Sequence, residues 1–230
     1  AASRPVFHPY HPAKSPYGAG HASAIVESSS MAAVDPPDVT YRPRLPHALL
    51  YGERGRCDAP GWSAHAAGAL SAAQLEALVY AGQSHARLDS EGVRYGFFVG
   101  DGTGVGKGRE IAGVILDNLV AGRKRSMWFS VSSALLYDAQ RDFCDLGRPD
   151  MKLYPLHKMP YGELPYEVDD GVMFCTYQSL IAQNKSSERR IDQLVAWAAK
   201  AAASGTPADF DGCLVFDEAH RAKNLAVGGR

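Results

Sequence analysis

Five of the twelve residues in "VGDGTGVGKGRE" (99–110) are glycine, and a lysine stands among them. Each glycine inside a helix or strand costs about 0.5–1 kcal/mol, so regular structure alone does not account for the stretch. Cradling a phosphate does. Gly102, Gly104, Gly106 and Gly108 would let backbone N–H groups approach an anion, with Thr103 and Val105 completing the loop. Lys107 would reach the β and γ phosphates, and Arg109 would open a helix whose positive end favours negative charge. The generic pattern G-x-x-x-x-G-K-[ST] is broken twice. Asp101 stands where its first glycine belongs, and Gly108 where its metal-binding hydroxyl belongs. A dinucleotide site fits less well, because the spacing is G-x-G-x-G and hydride transfer has no use for Lys107.

A second constellation, "CLVFDEAH" (213–220), is an apolar run ending in acids. At the end of a strand, Asp217 is suited to hold Mg2+ directly or through water. Glu218 is suited to orient or deprotonate an attacking water, and His220 could couple the site to the rest of the protein. An acidic turn after a core strand is common. The glycine loop, 110 residues earlier from Lys107 to Asp217, makes the pair point to a nucleotide and Mg2+. No H-E-x-x-H zinc pattern is present.

These residues need elements to position them. Leu75, Leu78 and Val79 have helical spacing within 70–88, with Ser71 as N-cap. The apolar run 94–100 reads as a short buried strand feeding the glycine loop. Helices are expected over 109–122 and 133–147, closed by Gly122 and Gly147, and over 186–204. Strands are expected over 126–132, 151–156, 171–177 and 211–220. This alternation predicts an α/β fold with a mainly parallel sheet and helices on both faces. Residues 69–230 would form that lobe. Residues 1–68 would form an extension: irregular over 1–20, a short helix within 21–34, and an extended linker over 35–50 broken by four prolines.

Composition narrows the function. The net charge is −1 and 46% of the 230 residues are hydrophobic, so no global basic field announces nucleic acid. The basic run "GRKRS" (122–126) reads as a solvated helix end. Cys57, Cys144, Cys175 and Cys213 form no C-x-x-C pair and read as reduced thiols of a cytoplasmic protein. No apolar run is long enough to span a membrane, and no signal-peptide pattern opens the chain.

Five blocks occur in order: "LSAAQLEALVYAGQ", "GDGTGVGKGREIAGVI", "WFSVSSALLYDAQRDF", "GVMFCTYQSLI" and "DFDGCLVFDEAHRAKN". Together with "SAIVESSSMAAVDPPDVTYRPRLP" (23–46), they resemble the strawberry notch family, a branch of the superfamily-two helicase-like ATPases related to Swi/Snf remodellers. The resemblance covers residues 23–225, and the residue style suggests a bacterial or phage member. Its own motif carries G-K-G-R, so Asp101 and Gly108 match the family and depart only from the generic loop.

The resemblance implies a RecA-like P-loop lobe that binds ATP and Mg2+. It places Lys107, Asp217 and Glu218 at the chemistry and Gln74 at the adenine edge. Ser130, Ser132, Ser133, Thr176 and Tyr177 become candidates for contact with nucleic acid, DNA in the first instance, and Arg221 and Lys223 extend that set. A second RecA-like lobe supplying arginine fingers is expected beyond Arg230. The alternative is a non-catalytic nucleotide-binding interaction module, such as a transcriptional co-regulator or a mobile-element scaffold, which Gly108 favours. An unrelated P-loop kinase does not fit the motif order.

Overall fold

Four strands form one sheet: β1 (Arg125–Ser130), β2 (Leu153–Pro155), β3 (Gly171–Thr176) and β4 (Cys213–Phe216). The computed structural model describes residues 38–51, 61–63, 69–102, 104–185, 187–202 and 205–222. The strands pair in the order β2-β3-β1-β4, and every pairing is parallel. The helices are α1 (His47–Tyr51), α2 (Ala72–His85), α3 (Lys107–Val120), α4 (Leu135–Asp145), α5 (Tyr177–Leu180) and α6 (Arg190–Ala201).

Side chains alternate across a strand, and here they build two cores. Trp128, Val172, Phe174 and Cys213 face α2, α3 and α4, meeting Leu78, Ala112, Ile115, Leu116, Ala139 and Phe143. Met127, Phe129, Met173 and Cys175 face the other way, onto Leu194, Trp197 and Ala198 of α6. Helices thus cover both faces, as a parallel sheet requires, and the expected α/β layering is what forms.

Local chemistry sets the helix ends. Ser71 caps α2 in a reciprocal box with Gln74. Gly122, with φ +92°, ends α3: its N–H bonds to Leu119 O, and that of Arg123 to Asn118 O. Gly147 and Arg148 close α4 in the same way, onto Cys144 O and Phe143 O. Both are left-handed glycine caps that satisfy otherwise orphaned carbonyls.

Three expectations are corrected. The run 94–100 is not a strand. Leu88 and Arg94 bridge antiparallel instead. The Asp89 carboxylate accepts the N–H groups of Glu91 and Val93, and Ser84 donates to Gly96 O. This local turn ties the start of the run to the end of α2, leaving Phe98 81% exposed. The linker read over 35–50 fails from Tyr41 onward, where the compact unit carrying the sheet begins. Leu45, Leu49 and Leu50 enter the main core. Asp117 of α3 accepts the Tyr41 hydroxyl at 2.5 Å and the Arg44 N–H at 2.6 Å. The helix expected over 186–204 starts late. Asn184 and Glu188 close a turn on each other, so α6 begins at Arg190. The expected structure of residues 1–34, and most of 52–68, lies outside the described residues.

Leu49→Ala is expected to lower stability by about 2–5 kcal/mol, the usual loss for a fully buried leucine. Tyr41→Phe is expected to lose about 1–3 kcal/mol, because it deprives the buried Asp117 of a donor. Denaturant midpoints of the two variants check both. An unshifted midpoint for Leu49→Ala would return residues 41–51 to the status of a separate extension.

Candidate functional site

The glycine loop meets α3 at a left-handed residue. Gly106, φ +95°, is the N-cap of α3, and Gly104 has φ +91°. A Cβ at Gly106 would come within 2.5 Å of Gln74 Nε2, so conformation and space both demand glycine there. The first helical bonds run from the N–H groups of Arg109 and Glu110 to Gly106 O. The N–H groups of Lys107 and Gly108 precede them, among the orphan donors of a helix start. Lys107 Nζ turns back into the loop and donates to Asp101 O at 3.0 Å and Gly102 O at 3.2 Å. Both partners are neutral carbonyls, and a phosphate oxygen would attract the ammonium more strongly. Thr103 lies outside the described residues.

Gln74, the residue expected at the adenine edge, packs against the glycine loop. It is buried. Its Oε1 accepts the Ser71 N–H at 2.9 Å, and its Nε2 donates to Val105 O at 2.8 Å. In this structure its amide locks the loop to α2. Arg109 likewise ties the first turn of α3 to its surroundings, through Ala69 O and an ion pair with Asp145.

Glu110 was not anticipated as a site residue. It is 1% exposed, and its carboxylate lies against that of Asp101 rather than against a cation. Burial pushes its pKa up from 4.5 to about 7, with the Asp101 charge adding to the shift and Lys107 opposing it. Its signal lay in plain view, three residues after Lys107 and so on the same helix face, but a surface carboxylate in a first helical turn has the same spacing.

The acidic turn is braced by β1 and by the first residue of α5. Asp217 N–H donates to Phe129 O at 2.9 Å. Ser130 Oγ donates to Asp217 Oδ2, and Tyr177 Oη to Asp217 O, both at 2.8 Å. Burial raises the Tyr177 pKa, and the Asp217 and Glu218 charges add to it, which keeps the phenol a donor. Glu218 has φ +53°, a left-handed backbone that non-glycine residues adopt at a cost and that marks functional positions. His220 Nδ1 stands 3.2 Å from Glu218 Oε2, so the proposed coupling residue touches the proposed water-positioning residue.

Other expected residues separate. Ser130 is wholly buried and committed to Asp217, so it leaves the nucleic-acid set. Ser132 and Ser133 are exposed. Thr176 caps α5, its Oγ1 accepting the Ser179 N–H. Arg221 is exposed, and Lys223 lies outside the described residues. The basic run after α3 is not simply solvated. Arg123 pairs with Asp211, Lys124 with Asp170 and the buried Arg125 with Asp169. Among the described residues, no hydrogen bond or ion pair links Lys107 to Asp217 or Glu218, and no group of three metal-ligating side chains gathers. A cavity of about 600 Å³ lies elsewhere, lined by Arg125, Trp197 and Lys200 among others, and contains none of the expected site residues.

A glycine loop ending in a lysine at a helix start, and an acidic turn at the carboxyl end of a parallel strand, are the two halves of a P-loop site. The family model described as "P-loop containing NTP hydrolase pore-1" matches residues 20–230. This chain belongs to that family. It is 42% identical over 227 residues to human "Protein strawberry notch homolog 1", covering 96% of this chain and 15% of that protein. It is 43% identical over 222 residues to "Protein FORGETTER 1" of Arabidopsis thaliana, covering 95% and 15%. For the Caenorhabditis elegans "Protein strawberry notch homolog" the figures are 42% over 225 residues, 94% and 11%. The chain therefore spans less than a sixth of the length of these relatives. No solved structure matches it. Among the described residues, no helix is long and apolar enough to cross a membrane.

Glu110 gives this P-loop domain a pH signature. Its folded pKa stands above the ordinary 4.5, at about 7. Its contribution to stability is therefore complete below pH 4.5 and is lost as pH rises through 7. Glu110→Gln is expected to be more stable than wild type at pH 8, with the advantage gone at pH 4. Denaturation midpoints across that range read it, and parallel profiles for the two proteins would refute the assignment.

Proposed function

We propose that this chain is the nucleotide-binding segment of an ATP-hydrolysing, helicase- or translocase-like protein that acts on nucleic acid, most simply DNA. The observation that carries the reading is Lys107. It follows two left-handed glycines, begins a buried helix, and spends its charge on two neutral loop carbonyls. In the loaded protein the loop amides from Gly102 to Gly108 and the Lys107 ammonium hold the phosphates, while Gln74 and Arg109 keep the loop in place. Mg2+, when bound, neutralises charge on the phosphate oxygens. Asp217 would hold it, steadied by Ser130, and Glu218 would position the attacking water.

Residues 95–100 bear on how the two halves meet. Their aromatic side chains are exposed, and so are Leu214 and Phe216 of β4, whose outer edge carries no strand among the described residues. Held by its start to the end of α2, this run leaves the β4 edge open. Ser132, Ser133, Thr176 and Arg221, near the carboxyl ends of the strands, are then the residues offered to a nucleic-acid backbone. A second RecA-like lobe, in the remainder of the protein, would complete the charge stabilisation.

Two observations favour a second reading. Gly108 brings no oxygen to a metal, and Lys107 is not in contact with the acidic turn. A nucleotide-binding interaction module without turnover would have these features.

The test is ATP hydrolysis by the full-length protein, with and without single- and double-stranded DNA and RNA. Stimulation by one nucleic acid is expected, with turnover falling by roughly 10²–10⁴-fold in Glu218→Gln while ATP binding persists. Lys107→Ala is expected to lose binding. Unstimulated, negligible turnover with intact ATP binding would select the second reading.

A further inference from the structure

The missing hydroxyl of the loop has a substitute from another helix. A Cβ added at Gly108 would run directly into Asp142 Oδ2 of α4. Side chains on a helix lean toward its N-terminus. The space above Gly108 is where the serine or threonine of a generic P-loop reaches for the metal of the nucleotide, and here a carboxylate oxygen fills it. Any side chain at Gly108 would have to displace the Asp142 carboxylate.

The charges around Asp142 are uneven. Two arginines are near, and each is taken by another aspartate: Arg109 pairs with Asp145, and Arg141 with Asp138 at 2.9 Å. Asp142 is 9% exposed, and no hydrogen bond or ion pair reaches its carboxylate among the described residues. Burial raises its pKa, with Arg141 and Arg109 opposing the shift. A largely buried carboxylate that no cation pairs favours a proton or a metal ion. Mg2+ at a nucleotide needs only one or two protein carboxylates, with phosphates and waters completing its shell.

We propose that Asp142 is the loop-side ligand of the nucleotide's Mg2+, directly or through water, in the place of the absent P-loop hydroxyl. The proposal rests on the nucleotide reading above and adds to it a residue from α4. The carboxylate brings a full negative charge where other loops bring a neutral oxygen. Nucleotide binding therefore depends more steeply on Mg2+, because without the metal Asp142 repels the phosphates.

Calorimetric titration of the full-length protein with ADP, in Mg2+ and in EDTA, tests this without turnover. In wild type Mg2+ is expected to tighten ADP binding. Asp142→Asn is expected to reduce that metal-dependent gain by roughly 10–100-fold, the range seen when metal sites lose a supporting group, without weakening ADP binding in EDTA. Mn2+ affinity of the ADP complex, read by electron paramagnetic resonance, should fall in parallel. Gly108→Ser should disrupt the loop by collision with Asp142, whereas Gly108→Ser/Asp142→Ala makes room for a hydroxyl and should recover the metal dependence. The proposal is overturned if Asp142→Asn keeps the Mg2+ gain, or if it weakens binding equally with and without metal, as a purely structural contact would. Failure of wild type to bind ADP in either buffer would sink the nucleotide reading itself, and this inference with it.

Discussion

The burial of one helix governs the rest. Ala112, Ile115 and Leu116 of α3 are wholly buried between the sheet and its neighbouring helices. Because they cannot turn or slide without opening the core, the first turn of α3 is held in one orientation. Gly106, Lys107 and Gly108 inherit that orientation. A phosphate cradle works only if its amides converge before the anion arrives, and here an apolar interface some turns away supplies that order. Asp117 adds a polar lock to the same helix, taking donors from Tyr41 and Arg44.

Around that fixed turn the electrostatics are unbalanced. Glu110 and Asp142 are buried carboxylates that no cation pairs among the described residues, while the nearby arginines are paired elsewhere. Lys107 faces carbonyls rather than either carboxylate. A structure optimised for stability alone would have paired these groups. The imbalance is of the kind a highly charged ligand with its counter-cation relieves, which is why two otherwise unfavourable carboxylates can persist beside a phosphate loop.

The acidic turn follows another logic. Asp217 and Glu218 are positioned by the sheet itself, through Phe129 O, Ser130 and Tyr177 from the adjoining strand ends. The left-handed backbone at Glu218 is affordable because these bonds over-determine the turn. Serine and tyrosine residues expected at a nucleic-acid backbone thus serve partly as the scaffold of the acids, a role invisible until strand order is known.

Much was legible in the sequence because it depends on near neighbours. The layering followed from alternating apolar periods, and the ends of α2, α3 and α4 from Ser71, Gly122 and Gly147, whose partners lie within a few residues. The loop chemistry was legible too, since glycine spacing and a lysine at a helix start are local facts. What the sequence alone determined, then, is the fold class and the types of chemical group at the site. Tertiary structure decided everything that required distant partners. Residues 95–100 have a strand's composition, yet bonds to Arg87 O and from Ser84 hold their start to the end of α2. Leu45 and Leu49 sit in a proline-broken stretch, yet the core takes them. Gln74 was placed at the loop by contact with Val105, and Asp142 at Gly108 by the packing of α4 on α3. No pattern within either segment encodes such pairings, because they arise from the relative placement of whole elements, and that placement is set by the shape of the shared core.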